Sequence, residues 1–550
     1  MTGGSKYRSG RPAGTSASKD ADTAAVARAA WLLRTSRIHS ADPDCRTLST
    51  FSRRLKLPDR RVDSPTLSRW ETGAAKITYN GVRAYEDVLD LRSHSLVSVI
   101  DTIYRYSSSQ TRAKPALTRR PLSDPESAVR LLNEFFEKGS SKTSVSGREW
   151  DDFSALVAQE SAIVPVPRSA WSALLHRLMH EIICADGVHW MLRFEALNRL
   201  LAHPTIGALG VEALHETIED RAVQSLVGTA CLYDATAHRR ASDDVVHYLE
   251  APPDERVLKG VLMACVRKLH QGHFNAPDLT ALSPLVADTI TDATSATNEM
   301  KSLAIAILRA IPAHLQHRSS KSLLPKLLQN HEFRSVYQNH SLLAPGKSAL
   351  VAQRVYNLSI VHFGRTHEAR TDEMLSELVQ EMLFHPVFDA RLYASFLIYL
   401  SPYRASVAAA LLQEVAANRP TEDFAWITTL FESLRILGGQ REREAVQRYV
   451  VASGVADSVN DAAAYALGHI GGVSGEGFWK TAVVSYVDVY KNHKHRESIL
   501  DRIVYAMGIQ GHHVQLREIL GKNHDVPEAV RRSARWWLDQ PPHILRSAAS

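Results

Sequence analysis

Apolar residues recur along this chain at three- and four-residue spacing, and the alternating pattern of a half-buried strand is scarce. That pattern predicts an all-α protein. A compact helical stretch is expected from about Thr23 to Tyr106. Ser107 to Asp124 follows, rich in Ser, Arg and Pro and almost free of large apolar side chains, the composition of a linker. Asp124-Pro125-Glu126 then reads as N-cap, first-turn proline and first-turn acid, opening a helix with Val129, Leu132, Phe135 and Phe136 on one face. After a polar break from Gly139 to Gly147, helix follows helix to the end, interrupted at Gly, Pro and Asn. Residues 1–22 hold little that could be buried and read as a disordered basic arm. The expected organisation is an arm over 1–22, a first helical domain over 23–106, a linker over 107–124 and a long helical body over 125–550.

The body repeats itself. Asp461-Ala-Ala-Ala-Tyr465-Ala466-Leu467-Gly468 is echoed by Asp501-Arg-Ile-Val-Tyr505-Ala506-Met507-Gly508, and each is followed by a further glycine, Gly471 or Gly511. Asp389-Ala-Arg-Leu-Tyr393-Ala394 carries the same core, and Asp423 begins a degraded copy with Ile427 and Thr428. These aspartates lie 34, 38 and 40 residues apart, the period of helical hairpins that stack. Ala394, Ala466 and Ala506 let a neighbouring helix come close, and the trailing glycine is expected to end each helix in a left-handed cap. Looser copies run through 193–200, 261–269 and 302–308. The pattern resembles HEAT-like or armadillo-like repeats, which implies an α-solenoid.

Charge divides the chain where the periodicity does. Residues 1–121 hold 22 Lys and Arg against 11 Asp and Glu, a surplus of +11 in a chain whose total is +6, so the remainder is slightly acidic. A basic module joined to a near-neutral body is expected for a nucleic-acid-binding protein. No apolar run approaches the roughly 18–20 residues of a membrane span, and no apolar stretch of a signal peptide opens the chain. Cys45, Cys184, Cys231 and Cys265 form no CxxC pair, which fits a reduced, cytoplasmic protein.

The basic region contains Ser64-Pro-Thr-Leu-Ser-Arg-Trp-Glu-Thr-Gly73. Ser64 suits an N-cap and Pro65 the first helical position, while Leu67 and Trp70 fall on one buried face. Thr66, Ser68, Arg69 and the capping Ser64 are then left outward, at the positive end of a helix that a major groove accepts. Arg69 is placed to pair with guanine O6 and N7, and Arg53, Arg54, Arg60 and Arg61 to neutralise phosphates, with Lys6, Arg8 and Arg11 of the arm.

The segment resembles the recognition helix of the lambda-repressor-like (Xre-type) helix-turn-helix family, whose Ser-x-Trp-Glu-x-Gly ending is matched by Ser68, Trp70, Glu71 and Gly73. Over about residues 23–92, Thr47 would cap the family's second helix. Phe51 and Leu55 would be its core positions, and Ser52 the small residue where the third helix approaches. Val82, Tyr85, Val88, Leu89 and Leu91 are spaced like the helix that follows. The resemblance further implies an ion pair between Glu71 and a first-helix arginine, for which Arg34 is the candidate. Three features depart from the family: a longer connection from Leu55 to Leu67, an insertion from Ile38 to Arg46, and Leu48 where a phosphate-clamping Gln is frequent.

Other signals weigh less. His176, His180 and Cys184, with His189 beyond, share a helix face at zinc-ligand spacing, but twenty-five histidines are scattered through the chain and the neighbours are apolar, so packing is the better reading. His493, His495, His512 and His513 read as a solvated rim. The glycines from Gly471 to Gly477 read as a loop between repeats, and Trp536 and Trp537 as the plug of the last one. Asp151-Asp152 and Asp243-Asp244 read as partners of helix N-termini. Phosphate-binding loops, HExxH and GxSxG are absent, so neither a cofactor nor a catalytic constellation is predicted.

Two functions follow as expectations. The first is a sequence-specific transcriptional regulator that binds double-stranded DNA, senses a protein or peptide partner along the concave face of its solenoid, and dimerises if its sites are palindromic. The second is a DNA-tethered scaffold of nucleoid, plasmid or phage-related processes, without operator-type specificity.

Overall fold

In the computed structural model, residues 16–550 are described except 59, 109–115, 121–123, 160–166, 221, 225, 293–295, 365–371, 419–424, 491–496 and 522–525. The described residues form α-helices and short 3-10 or π turns, with no β-strand. No described helix is long and apolar enough to cross a membrane. The N-terminal helices are α1 (Ser16–Ile38), α2 (Leu48–Arg54), α3 (Ser64–Glu71), α4 (Tyr79–Val88) and α5 (Ser95–Ser107). The body opens with α6 (Pro125–Ser140), α7 (Gly147–Gln159), α8 (Arg168–Cys184) and α9 (Gly187–Ala202).

Part of the expected basic arm is helix, since α1 begins at Ser16; Lys6, Arg8 and Arg11 lie outside the described residues. Leu32, Leu33, Phe51, Leu55, Leu67, Val82 and Tyr85 form the centre of the N-terminal bundle. Val88 and Leu89 are half-buried, and Leu91, beyond the end of α4, is exposed. Glu86 of α4, wholly buried, accepts the backbone N–H groups of His94, Leu96 and Val97 and so satisfies the otherwise unpaired start of α5. The expected apolar face of α6 is rotated: Ala128, Leu132, Phe135 and Phe136 are buried, whereas Val129 is exposed.

The later body is a two-row solenoid. Helices Phe388–Leu400, Ala425–Leu437, Asp457–Leu467, Glu497–Ile509 and Glu528–Leu538 stack as one row. Helices Arg404–Ala417, Gln440–Val451, Glu476–Tyr490 and His513–Leu520 stack as the other. Ala394, Ala466 and Ala506 are buried at the close contacts between turns. The expected left-handed cap occurs at Gly511 (φ +73°), but Gly471 is not in that conformation and instead bonds the Gly438 carbonyl. Gly508 has a different use, because a Cβ there would overlap the Trp537 indole. Gly508→Ala is therefore expected to cost about 3 kcal/mol by overpacking, measured as a lowered denaturation midpoint against wild type.

The face bearing the repeated aspartates is covered by the first half of the body. Asp389 is fully buried and holds Arg267 in a two-pronged pair. Asp501 accepts Gln224 Nε2 at 2.8 Å and Arg256 Nη1 at 3.3 Å, and Trp537 Nε1 donates to Gln224 Oε1 at 2.9 Å. Asp461 faces Arg502 at 3.6 Å, and Asp423 lies outside the described residues. The last helix, Pro542–Ala548, packs on α8, and Gly147 N–H donates to the Ser550 carbonyl at 2.9 Å.

The N-terminal bundle is seated on this body through α1, α4 and α5. Arg28 pairs with Glu381 at 2.5 Å, Trp31 Nε1 donates to Asp372 at 3.0 Å, and the Trp31 ring stacks on Tyr403. Arg105 of α5 holds Glu195 of α9 at 2.7 and 2.9 Å. Part of the segment read as a linker is built into this seam. Leu117 is buried, with its N–H on Asp101 Oδ1 at 2.5 Å, and Arg119 reaches Asp151 at 2.6 Å and Asp152 at 3.1 Å.

Candidate nucleic-acid interface

α2 and α3 pack on each other, and α3 also packs on α1, with Arg53, Arg54 and Arg69 exposed on them. Thr47 caps α2 by accepting the Thr50 N–H at 3.3 Å. Ser52 lies where the two helices meet, its hydroxyl 3.1 Å from that of Ser64. α3 starts one residue earlier than Ser64 would have placed it. Asp63 is the N-cap and accepts the Thr66 N–H at 2.9 Å, which makes Ser64 the first helical residue and Pro65 the second. Asp is as good a cap as Ser, and proline is tolerated at either early position.

Leu67 and Trp70 are buried; Ser64, Thr66 and Ser68 are half-buried, and Arg69 is exposed. Arg69 Nη2 donates to Thr66 Oγ1 at 3.2 Å, so the guanidinium lies along the outer face of α3. Glu71 is buried and pairs with Arg37 rather than Arg34. Arg37 Nε and Nη2 each donate at 2.7 Å, and Tyr85 adds its hydroxyl at 2.8 Å. Arg37 lies nearly one turn beyond Arg34, which is exposed. The third guanidinium nitrogen reaches the Arg46 carbonyl and fixes the inserted 38–46 segment, whose Cys45 is buried.

The long α2–α3 connection is a tight antiparallel turn. Lys56 and Arg61 form a β-bridge, and Leu57 N–H donates to the Arg60 carbonyl at 3.2 Å. Lys56, Arg60 and Arg61 are exposed on it beside the start of α3, with Arg53 next to them on α2. Arg54 is pinned to Asp42, which lowers the carboxyl's pKa through that hydrogen bond and leaves Arg54 less free than its neighbours. Lys56 was not among the residues singled out in the sequence, although it lies in the same long connection as Arg60 and Arg61.

The other candidate groups are engaged internally. His176 Nε2 faces Glu216 at 2.9 Å and its Nδ1 the Ser172 carbonyl at 2.9 Å, His180 lies beside Trp536, and burial pushes the Cys184 thiol's pKa well up. Among the described residues, three metal-type donors converge at His94, Asp151 and Asp152. Protein partners already occupy them: His94 Nε2 meets the Tyr79 hydroxyl at 2.8 Å, its Nδ1 the Ser93 hydroxyl at 2.8 Å, and both aspartates hold Arg119. Asp151 and Asp243 are therefore ion-pair partners rather than helix-dipole partners. The first is held by Arg119 and Arg199, and the second by Arg239 at 2.8 Å. His493 and His495 lie outside the described residues, and His512 packs beside Trp479. Compared with known proteins, the chain matches no family model and no curated sequence.

Proposed function

We propose that this chain is a sequence-specific regulator that binds double-stranded DNA through the outer face of α3. The observation that carries the reading is the concentration of unburied polar and basic groups on α2, α3 and the turn between them. α3 offers Ser64, Thr66, Ser68 and Arg69, flanked by Arg53, Lys56, Arg60 and Arg61. The resemblance of 64–73 to the Xre-type recognition helix supports the same assignment. Arg69 reads a guanine, and Thr66 and Ser68 contact neighbouring base edges. Thr47, Ser64 and the arginines of α2 and the following turn hold phosphates, with Arg54 the weakest contributor because Asp42 shares its charge. No catalytic step is assigned. A dimer would be needed to read a palindrome.

One observation favours the second reading, a DNA-tethered scaffold. α3 has eight residues and a single long exposed side chain, Arg69, so few bases are within its reach. Binding of a randomised duplex pool across a salt series separates the two. The regulator reading expects an enriched motif that Arg69→Ala abolishes at particular base pairs, a loss of roughly 1–3 kcal/mol there. Arg60→Ala with Arg61→Ala should weaken every sequence alike and flatten the salt slope by up to about two. Binding without an enriched motif supports the scaffold, and no binding at low salt defeats both.

A further inference from the structure

The α8–α9 turn and the last helix of the body meet around a half-open cavity of about 460 Å3. The α8–α9 turn supplies Cys184, Asp186 and His189, the last helix closes one side, and the opposite wall is formed where Asp457–Leu467 and Glu497–Ile509 end. Cavities of roughly 300–1,000 Å3 suit small organic ligands.

The cavity's polar lining is biased towards acceptors. Asp186 Oδ1 takes the His469 Nδ1–H and the Gly187 N–H, at 2.8 and 2.7 Å. Burial acts against this carboxylate, but His469 outweighs it and keeps its pKa below the ordinary value. The Asp186 side chain remains 43% exposed; Arg435 acts on it at longer range, and among the described residues no Lys or Arg nitrogen lies within 4.0 Å of it. Two helix C-termini add the negative ends of their dipoles. The rest of the wall combines the apolar Ile509 and Leu545 with the polar Gln510 and His513.

A metal ion is a poor match. His469 has both ring nitrogens engaged, the second by the Tyr505 hydroxyl at 3.3 Å. Among the described residues this wall does not bring three donor atoms within 4.8 Å of one another. An anion would meet Asp186. A small molecule with a positive charge and an apolar portion matches the half-exposed Asp186 carboxylate and the Ile509 and Leu545 side chains beside it.

We propose that the cavity binds a primary ammonium compound, with its N–H groups on Asp186 Oδ2 and its carbon skeleton against Ile509 and Leu545. The site is independent of the DNA reading. It belongs to the seam that closes the body, and α9, which carries Asp186 as its N-cap, also holds the N-terminal bundle through Glu195.

Isothermal titration of the full chain with propylammonium, phenethylammonium and tryptammonium, against carboxylates of matching size, tests it. At least one ammonium is expected to bind and the carboxylates are not. Asp186→Asn, which keeps the helix cap, should weaken binding about tenfold or more without lowering the melting temperature. Ala549→Phe, at an exposed position on the cavity wall, should block entry while the fold persists. The proposal is overturned if no ammonium binds at millimolar concentration, if carboxylates bind equally well, or if Asp186→Asn binds as wild type does.

Discussion

Replacing Arg199 by alanine is expected to lower the stability of the chain by roughly 3–5 kcal/mol and to loosen the N-terminal helices from the body. Arg199 of α9 donates to Asp151 Oδ1 of α7 at 2.6 Å and to Asp101 of α5, and all three side chains are at most 3% exposed. Arg119 completes the set from the far side of Asp151. Without Arg199, Asp101 loses its ion-pair partner while Asp151 retains only Arg119. Burial already raises the Asp101 pKa against the pull of Arg199, whereas burial of Asp151 is outweighed by Arg119 and Arg199, which hold its carboxyl far below the usual range. Denaturant midpoints report the loss. Limited proteolysis should show α1–α5 released at denaturant concentrations where the body persists. A variant with the wild-type midpoint and cleavage pattern would contradict the assignment of this network to the seam.

The chain is also expected to lose stability as pH falls from about 6.5 towards 4, above the range where carboxylates usually dominate acid unfolding. Burial, against a weaker pull from Asp151, holds His94 down to about 4, and the residue is fully buried. Burial likewise holds His189 and His273 down to about 4 and His385 to about 3. The folded pKa of each is below the unfolded value near 6.5, so the unfolded chain binds more protons in this window and stability drops with pH. For His94 the loss is about 2 kcal/mol between pH 6.5 and 5, with smaller additions from the half-buried histidines. His94 lies in the left-handed region at φ +65°, which Asn tolerates. Melting temperatures measured across this range should therefore show a shallower slope for His94→Asn. Equal slopes would mean that His94 is not the titrating group.

The sequence made legible whatever depends on neighbours along the chain. Helical periodicity, the caps at Thr47 and Asp124, the buried pair Leu67 and Trp70, and the forty-residue repeat are all short-range patterns, and the structure contains them. Finer assignments failed where two residues met one requirement equally well. Asp63 and Ser64 both suit a cap, and Arg34 and Arg37 share a helix less than a turn apart. Hidden altogether were partners brought together only by the tertiary fold, such as Arg28 with Glu381 or Trp537 with Gln224, separated by 353 and 313 residues. The repeated aspartates were visible as a motif, but their use in joining the two halves of the body was not. The cavity at the seam combines residues from four stretches, and its histidines looked like ordinary members of a histidine-rich chain.

These contacts seat the N-terminal bundle on the body, and the basic residues of α2, α3 and the turn between them are exposed. The central claim is that this surface selects DNA sequence, and genome-wide occupancy of the tagged full chain beside its Arg69→Ala variant tests it most directly. The account predicts a small set of sharp peaks sharing one motif, lost in the variant while the protein level is unchanged. Broad occupancy, or peaks that persist without Arg69, would contradict it.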